Sequence, residues 1–350
     1  MKISVDRLRL LAPATLRALG CAPDEADLVA THLIEANLRG HDSHGVGMLP
    51  FYIASARQGT LKPNTPARLL NDGGAILQFA GDRGFGQRTG REAMDAAIAR
   101  VQQTGLVLMT LSATHHLGRI GSYGEQAVAA GMISIHFVNV IDFPQMLVAP
   151  FNGSSPRFGT NPVCIAIPGG QRHPAFVLDF ATSMVAYGKA RVAYLAGRQF
   201  DDDVLLDAAG HPTREPRVMF EPPLGALRPI AGHKGGGLIM AAELLAGLLS
   251  GGGSVQPAHP RDGGIVNNMT TLVIDPARLV DMQWFAAEYD ALVDYVKSSP
   301  SPDPADPVQL AGDPERQRRA QRLVDGIEIA DGEWDGILAA AAQLGVDVAG

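Results

Sequence analysis

Two cysteines in 350 residues, Cys21 and Cys164, stand far apart and in no CxxC pattern. That scarcity argues against a disulfide scaffold and a structural zinc site, both of which need clustered ligands. Lysine and arginine form no block longer than the series Arg316, Arg318, Arg319 and Arg322, and the formal charge is -7. Coating a polyanion requires many phosphate contacts, so nucleic acid is not an expected partner, and the arginine series reads as one solvated helix face. Long apolar runs are missing too: Leu238 to Leu249 comes nearest and contains Glu243, short of the roughly 20 apolar residues that cross a bilayer. The opening segment breaks its apolar positions with Asp6, Arg7, Arg9 and Arg17, which leaves no signal-peptide core. A soluble, cytoplasmic chain without a membrane partner is expected, and its length favours two domains over one.

What is present centres on Gly40 to Tyr52, GHDSHGVGMLPFY, where His41, Asp42, Ser43 and His44 stand together after a helical segment. A loop holding titratable and hydroxyl groups is a common seat of acid-base chemistry. Val5 to Leu19 and Pro23 to Leu38 have helical spacing and deliver the chain to this loop, and Phe51 to Gln58 makes a short helix that Gly59 stops. From Ala75 the pattern turns to strands at 75–80, 106–110, 132–138, 163–167, 175–180 and 269–274, with helices at 91–101, 185–195 and 238–249 between them. The glycines of GDRGFGQRTG follow a strand and open a helix, but their spacing is GxGxxxG and the next strand ends without an acidic residue. A packed strand-helix corner fits better than a dinucleotide fingerprint. Helix returns at Met282 to Val296, and after the proline-rich linker 298–307 a charged helix opens at Gly312 and continues toward Ile329.

Three further segments carry possible chemistry. SATHHLGRIGSY, from Ser112, holds adjacent histidines that cannot both face one way on a regular element; His116 is expected at the site, and His115 as an ordinary hydrogen-bonded histidine behind it or at the surface. Asp179, Thr182 and Ser183 sit at a strand end and suit either a polar binding role or a plain helix cap. AGHKGGG, Ala231 to Gly237, lets a phosphate approach backbone N–H groups with Lys234 adding charge, or serves close helix packing. Asp201 to Asp203 read as a solvated face and not as a metal site, because consecutive side chains diverge.

Six segments in order, GHDSHGVGMLPFY, Ser112 to Tyr123, GTNP at 159–162, LDFATSM at 178–184, GHKGGGL at 232–238 and GDPE at 312–315, resemble the malate/L-lactate dehydrogenase type 2 family. The resemblance runs along essentially the whole chain. It implies an α/β fold with a non-Rossmann cofactor domain on a mixed, largely antiparallel sheet, residues 76–280, and a helical domain formed from both chain ends, 1–75 and 281–350. It also implies NAD or NADP as cofactor, hydride transfer at C2 of a 2-hydroxy or 2-oxo carboxylic acid, and a homodimer. Carried over by position, His44 is the acid-base histidine with Ser43 beside it and Asp179 as its relay, and His116 is the second acid-base residue. Cofactor contacts match Leu178, Asp179, Phe180, Ala181, Thr182, Ser183, Met184, His233, Lys234, Gly312, Asp313 and Pro314.

One position departs from the family pattern. Met48 stands where many relatives have a carboxylate-binding arginine, and a thioether makes no charged fork. In this the chain resembles the hydroxycarboxylate dehydrogenase B branch, associated with aromatic and dicarboxylic 2-oxo acids, and Arg119 or Arg157 is left to hold the substrate carboxylate. Alternatives are a reductase of a cyclic imino acid, a diketo sugar acid or ureidoglycolate, a metal-dependent hydrolase using His41, His44 and His116, and a non-catalytic binding protein.

Overall fold

The computed structural model describes residues 1–347 apart from 144, 196, 260, 261 and the side chain of 195. Strand β1 (Lys2–Ile3) leads into helices α1 (Val5–Ala18) and α2 (Pro23–Leu38). The Ser4 hydroxyl caps α1 by accepting the Arg7 N–H, and Pro23 occupies the first turn of α2, where no amide donor is needed. Two 3₁₀ turns, Asp42–His44 and Val46–Met48, pass the chain to α3 (Leu49–Gln58), which Gly59 ends at φ 77°, a left-handed conformation that costs glycine little.

The middle of the chain builds the main sheet. Strands β2 (Arg68–Asp72) and β3 (Ile76–Ala80) form a hairpin, α4 (Gly86–Thr104) crosses to β4 (Leu106–His115), and α5 (Gly121–Ala129) precedes β5 (Ile133–Asp142), β6 (Val163–Ile167) and β7 (Phe176–Phe180). Helix α6 (Tyr187–Leu195) and three short strands, β8 (Leu205–Leu206), β9 (Pro212–Thr213) and β10 (Ala226–Leu227), follow. Then come α7 (His233–Leu249) and β11 (Val266–Ile274). The seven-stranded order is β2-β3-β4-β11-β5-β6-β7. Neighbours are antiparallel except β3 and β4, which run parallel because the α4 crossover returns the chain to the same end. The chain closes with α8 (Met282–Lys297), α9 (Asp313–Asp325), β12 (Ile327–Glu328) and α10 (Asp331–Ala342).

Two cores result. Leu8, Leu16, Leu33 and Tyr52 from the first helices pack with Ile327, Trp334 and Ile337 from the chain end, and β1 pairs with β12 to close that union. Met94, Ala97 and Val101 of α4 pack with Val107, Met109 and Met269 of the sheet. Among the described residues no helix is long and apolar enough to cross a membrane.

Several expected boundaries move, each for a tertiary reason. Strand β11 starts at Val266, earlier than the apolar run, because Asn267 and Asn268 are buried and bonded to neighbouring strands. Helix α7 begins at His233 and takes the glycines into its first turns. Beyond the Asp201 to Asp203 face, the chain forms the short strands β8 and β9. The charged helix expected to reach Ile329 stops at Asp325, since Gly326 at φ 86° turns the chain into β12. Its arginines are only in part a solvated face: Arg318 is exposed, but Arg319 forks onto Glu35 at 2.8 and 2.9 Å, and Arg322 onto Asp42 at 2.7 and 3.1 Å.

Candidate active site

Asn37, buried at the end of α2, organises the His44 loop. Its amide donates to Asp42 at 2.8 Å and its oxygen accepts the Val46 N–H at 2.8 Å. Gly45 leaves room for this, because a Cβ there would overlap the Asn37 side chain. Arg322 also donates to the Asn37 carbonyl, so the chain end clamps the loop from outside.

Held this way, the half-buried His44 places Nδ1 3.0 Å from Nε2 of His116, the residue just past β4. Nδ1 of His116 lies 2.7 Å from the Tyr52 hydroxyl on α3, and Gln87 Nε2 of α4 donates to that oxygen at 2.7 Å. Burial, with the charges of His41 and Arg119, pushes His44 down to about 4. Burial and His44 itself hold His116 well below the ordinary histidine range. Both rings are therefore neutral at pH 7. His115 ends β4 on the other side, packed at 6.1 and 5.7 Å from the Phe51 and Tyr52 rings.

The loop that His116 opens also carries Arg119, 2% exposed. Its two Nη atoms fork onto Glu125 at 3.0 Å each, and its Nε lies 4.0 Å from Asp179. Burial opposes charge on Glu125, yet Arg119 and Arg39 beside it hold its carboxyl below the usual range. Asp179, at the end of β7, accepts the Gly121 N–H at 2.7 Å. The hydrogen-bond partner of the His44 ring is His116 and not Asp179. Ser43 is exposed, with its Cβ 2.6 Å from where a side chain on Gly188 of α6 would begin. Met48 is half-buried and packs against the helical core. Arg157 is exposed and donates to the Pro156 carbonyl.

The segments expected to hold a nucleotide come together in part. The chain just past β7 pairs with the approach to α7: the Ile230 N–H donates to Thr182 O at 2.9 Å and the Met184 N–H to Arg228 O at 2.8 Å. Leu178, Phe180 and Ala181 are half-buried, Ser183 is buried and Met184 exposed. The Thr182 hydroxyl donates to the Thr160 and Asn161 carbonyls, so it caps no helix. His233 and Lys234 are exposed in the first turn of α7, where no side chain caps the free N–H groups. Gly312 and Pro314 open α9, and the Ala311 carbonyl next to them accepts the Val177 N–H of β7. Asp313 is already paired with Lys297 at 2.8 Å and Arg316 at 2.6 Å. Among the described residues no three His, Cys, Asp or Glu side chains stand together as a metal-binding group.

Tyr52, Gln87, Asn37 and Glu125 carry no motif of their own. Tyr52 closes the GHDSHGVGMLPFY stretch, but nothing in the sequence pairs it with a glutamine 35 positions on.

Known proteins share this arrangement of chain. The malate/L-lactate dehydrogenase family model matches residues 3–338. Hydroxycarboxylate dehydrogenase B of Escherichia coli K12 is 42% identical over 347 residues, 99% of this chain and 95% of that protein. An L-lactate dehydrogenase of Cupriavidus necator is 41% identical over 348 residues, 99% of each. A solved malate/lactate dehydrogenase structure from E. coli superposes with a TM-score of 0.94 at 41% identity, covering 99% of this chain and 96% of that one. The chain therefore belongs to the malate/L-lactate dehydrogenase family of oxidoreductases.

Proposed function

We propose that the protein is an NAD(P)-dependent dehydrogenase that interconverts a 2-hydroxy carboxylic acid and its 2-oxo acid, with His44 and His116 as the acid-base unit. The observation that carries this reading is the 3.0 Å contact between the half-buried His44, on the loop beside α6, and the buried His116, both neutral. A neutral His44 is ready to take the hydroxyl proton as the alcohol is oxidised and to return it when the carbonyl is reduced. Asp179 acts in this reading through Arg119 and the Gly121 N–H, holding the loop that His116 opens. Assaying a panel of 2-oxo acids with NADH and with NADPH at 340 nm tests the reading; turnover confined to a cyclic imino acid, a diketo sugar acid or ureidoglycolate would replace it.

The α7 entry fits a dinucleotide. Its uncapped N–H groups and the Lys234 ammonium, which has no ion pair among the described residues, suit a phosphate, and a side chain at Gly237 would meet nothing within 4 Å. Leu178 to Met184 and His233 would line the cofactor, with Gly312 to Pro314 at the far side of β7. When bound, the nicotinamide accepts or supplies the hydride at C2. Lys234→Ala should raise the KM for the nucleotide more than the KM for the oxo acid; the opposite order in steady-state kinetics would give Lys234 to the substrate.

In the same reading the sheet domain, residues 76–280, is a non-Rossmann cofactor domain, and 1–75 with 281–350 form the helical one. The assembly is a homodimer in the cytoplasm. Met240, Leu244 and Leu248 form an exposed row on α7 at 44, 40 and 60% exposure, and a helix that is apolar all round calls for cover on every face.

Met48 sets the substrate range. A half-buried thioether accepts a large C3 substituent that an arginine would crowd, while the carboxylate at C1 still needs a cation. Among the described residues, Arg119 has both Nη atoms committed to Glu125 and its buried Nε without a hydrogen-bond partner, whereas the exposed Arg157 donates to the Pro156 carbonyl from one Nη. Phenylpyruvate and 2-oxoglutarate should show higher kcat/KM than pyruvate, and Met48→Arg should shift the ranking toward small or dicarboxylic acids. An unchanged ranking in a folded Met48→Arg protein would show that Met48 serves the core alone.

A further inference from the structure

We infer that Tyr52 and Gln87 are positioning residues that decide which nitrogen of His116, and through it of His44, carries the proton. The inference rests on the acid-base reading above. From Gln87 Nε2 to Tyr52 Oη is 2.7 Å, from Tyr52 Oη to His116 Nδ1 is 2.7 Å, and from His116 Nε2 to His44 Nδ1 is 3.0 Å. Tyr52, Gln87 and His116 are 0, 0 and 8% exposed, so their polar atoms depend on this line for partners.

A neutral imidazole has one N–H and one lone pair, so the group facing one nitrogen determines the state of the other. With the Gln87 amide donating, the single phenol proton goes to His116 Nδ1. His116 then donates from Nε2 to His44 Nδ1, and His44 is left with its hydrogen on Nε2. If the carboxamide turns over and accepts, the line reverses: Tyr52 donates to Gln87, His116 Nδ1–H to Tyr52, and His44 Nδ1–H to His116. His44 Nε2 is then a free lone pair.

Oxidation of the alcohol uses the reversed line. The hydroxyl proton passes to His44 Nε2 while the hydride leaves C2 for the oxidised nucleotide, and the imidazolium keeps Nδ1–H on His116. Reduction runs the same step backward. Phenol and carboxamide are each donor and acceptor, so one line serves both polarities. The Gln87 Oε1 atom, buried and without a partner in the observed polarity, is the acceptor that the reversed polarity needs.

Tyr52→Phe tests this, because the ring keeps its edge contact with Phe85 and only the hydroxyl is lost. The fields of His32, His41, His115 and Arg119 on the pair are unchanged by it. We expect kcat to fall roughly 10-fold to 100-fold, the usual scale for losing an orienting partner, with the nucleotide KM unchanged. The ¹⁵N shifts of His116 and His44 should report an altered tautomer. Gln87→Leu should produce the same two signatures from the other end of the line, which keeps the test decisive if Tyr52→Phe does not fold. Gln87→Glu, which retains an acceptor, should recover part of the rate lost in Gln87→Leu. Wild-type ¹⁵N shifts in folded Tyr52→Phe would overturn the inference whatever the rate. Altered shifts in a protein whose wild type reduces no 2-oxo acid would support the line of hydrogen bonds while the acid-base reading fell.

Discussion

His44→Ala is expected to lose at least about 100-fold in kcat while nucleotide affinity stays near wild type, the scale of removing a general acid-base group. The alanine leaves the loop intact, since the Asn37, Asp42 and Arg322 bonds that shape it do not involve the imidazole. His116, left behind at 8% exposure with Tyr52 still on Nδ1, would have lost its partner on Nε2. Pre-steady-state measurement separates chemistry from release: hydride transfer should slow, whereas binding of NADH or NADPH by fluorescence titration should be unchanged. Turnover near that of wild type would move the proton-transfer role to His116.

Acid should unfold the protein well above the carboxylate range. His115 and His136 are fully buried, and burial pushes each down to about 3, with Arg83 adding to the effect at His115. His136 is held as a neutral ring between Thr271 and Ser134, each at 2.9 Å. Both folded values lie below the unfolded value of about 6.5. Below that pH the unfolded chain takes up protons that the folded chain refuses, so this contribution is complete above pH 6.5 and is lost as pH falls toward 3. Between pH 7.5 and 5 each histidine costs about 2 kcal/mol, and the two together about 4 kcal/mol. That is a large part of an ordinary folding stability of about 5 to 15 kcal/mol. Urea unfolding at pH 7.5, 6 and 5 should show the midpoint falling steeply over the last interval; an equal midpoint at pH 7.5 and 5 would rule the account out.

Much of the architecture was legible as periodicity. Pro23 and the spacing of Val29, Leu33 and Ile34 marked α2 to the residue, and the apolar run at 163–167 marked β6, because local capping and burial pattern decide such elements. Short strands such as β8, β9 and β12 have two residues each, too few to show a period, and exist only because a partner strand lies alongside. Within the helical chain end, α10 had no readable bounds of its own for a related reason: Ala-rich, it gains definition from Trp334 and Ile337 entering the core of the first helices.

The same division runs through the site. The family was readable from the residues alone, and the same contiguous motifs singled out the histidine at 44 with its glycine-rich loop, His116 and the glycine-rich entry to α7 as candidates. What those residues touch follows from packing between distant segments. That packing joined His44 to His116 across 72 positions, His116 to Tyr52 across 64 and Tyr52 to Gln87 across 35. It also committed Arg119 to Glu125 and turned Arg319 and Arg322 from a presumed wet face into clamps on α2 and the His44 loop. Hydrogen bonds and ion pairs between distant segments depend on how packed helices and strands approach one another, and no local pattern records that approach.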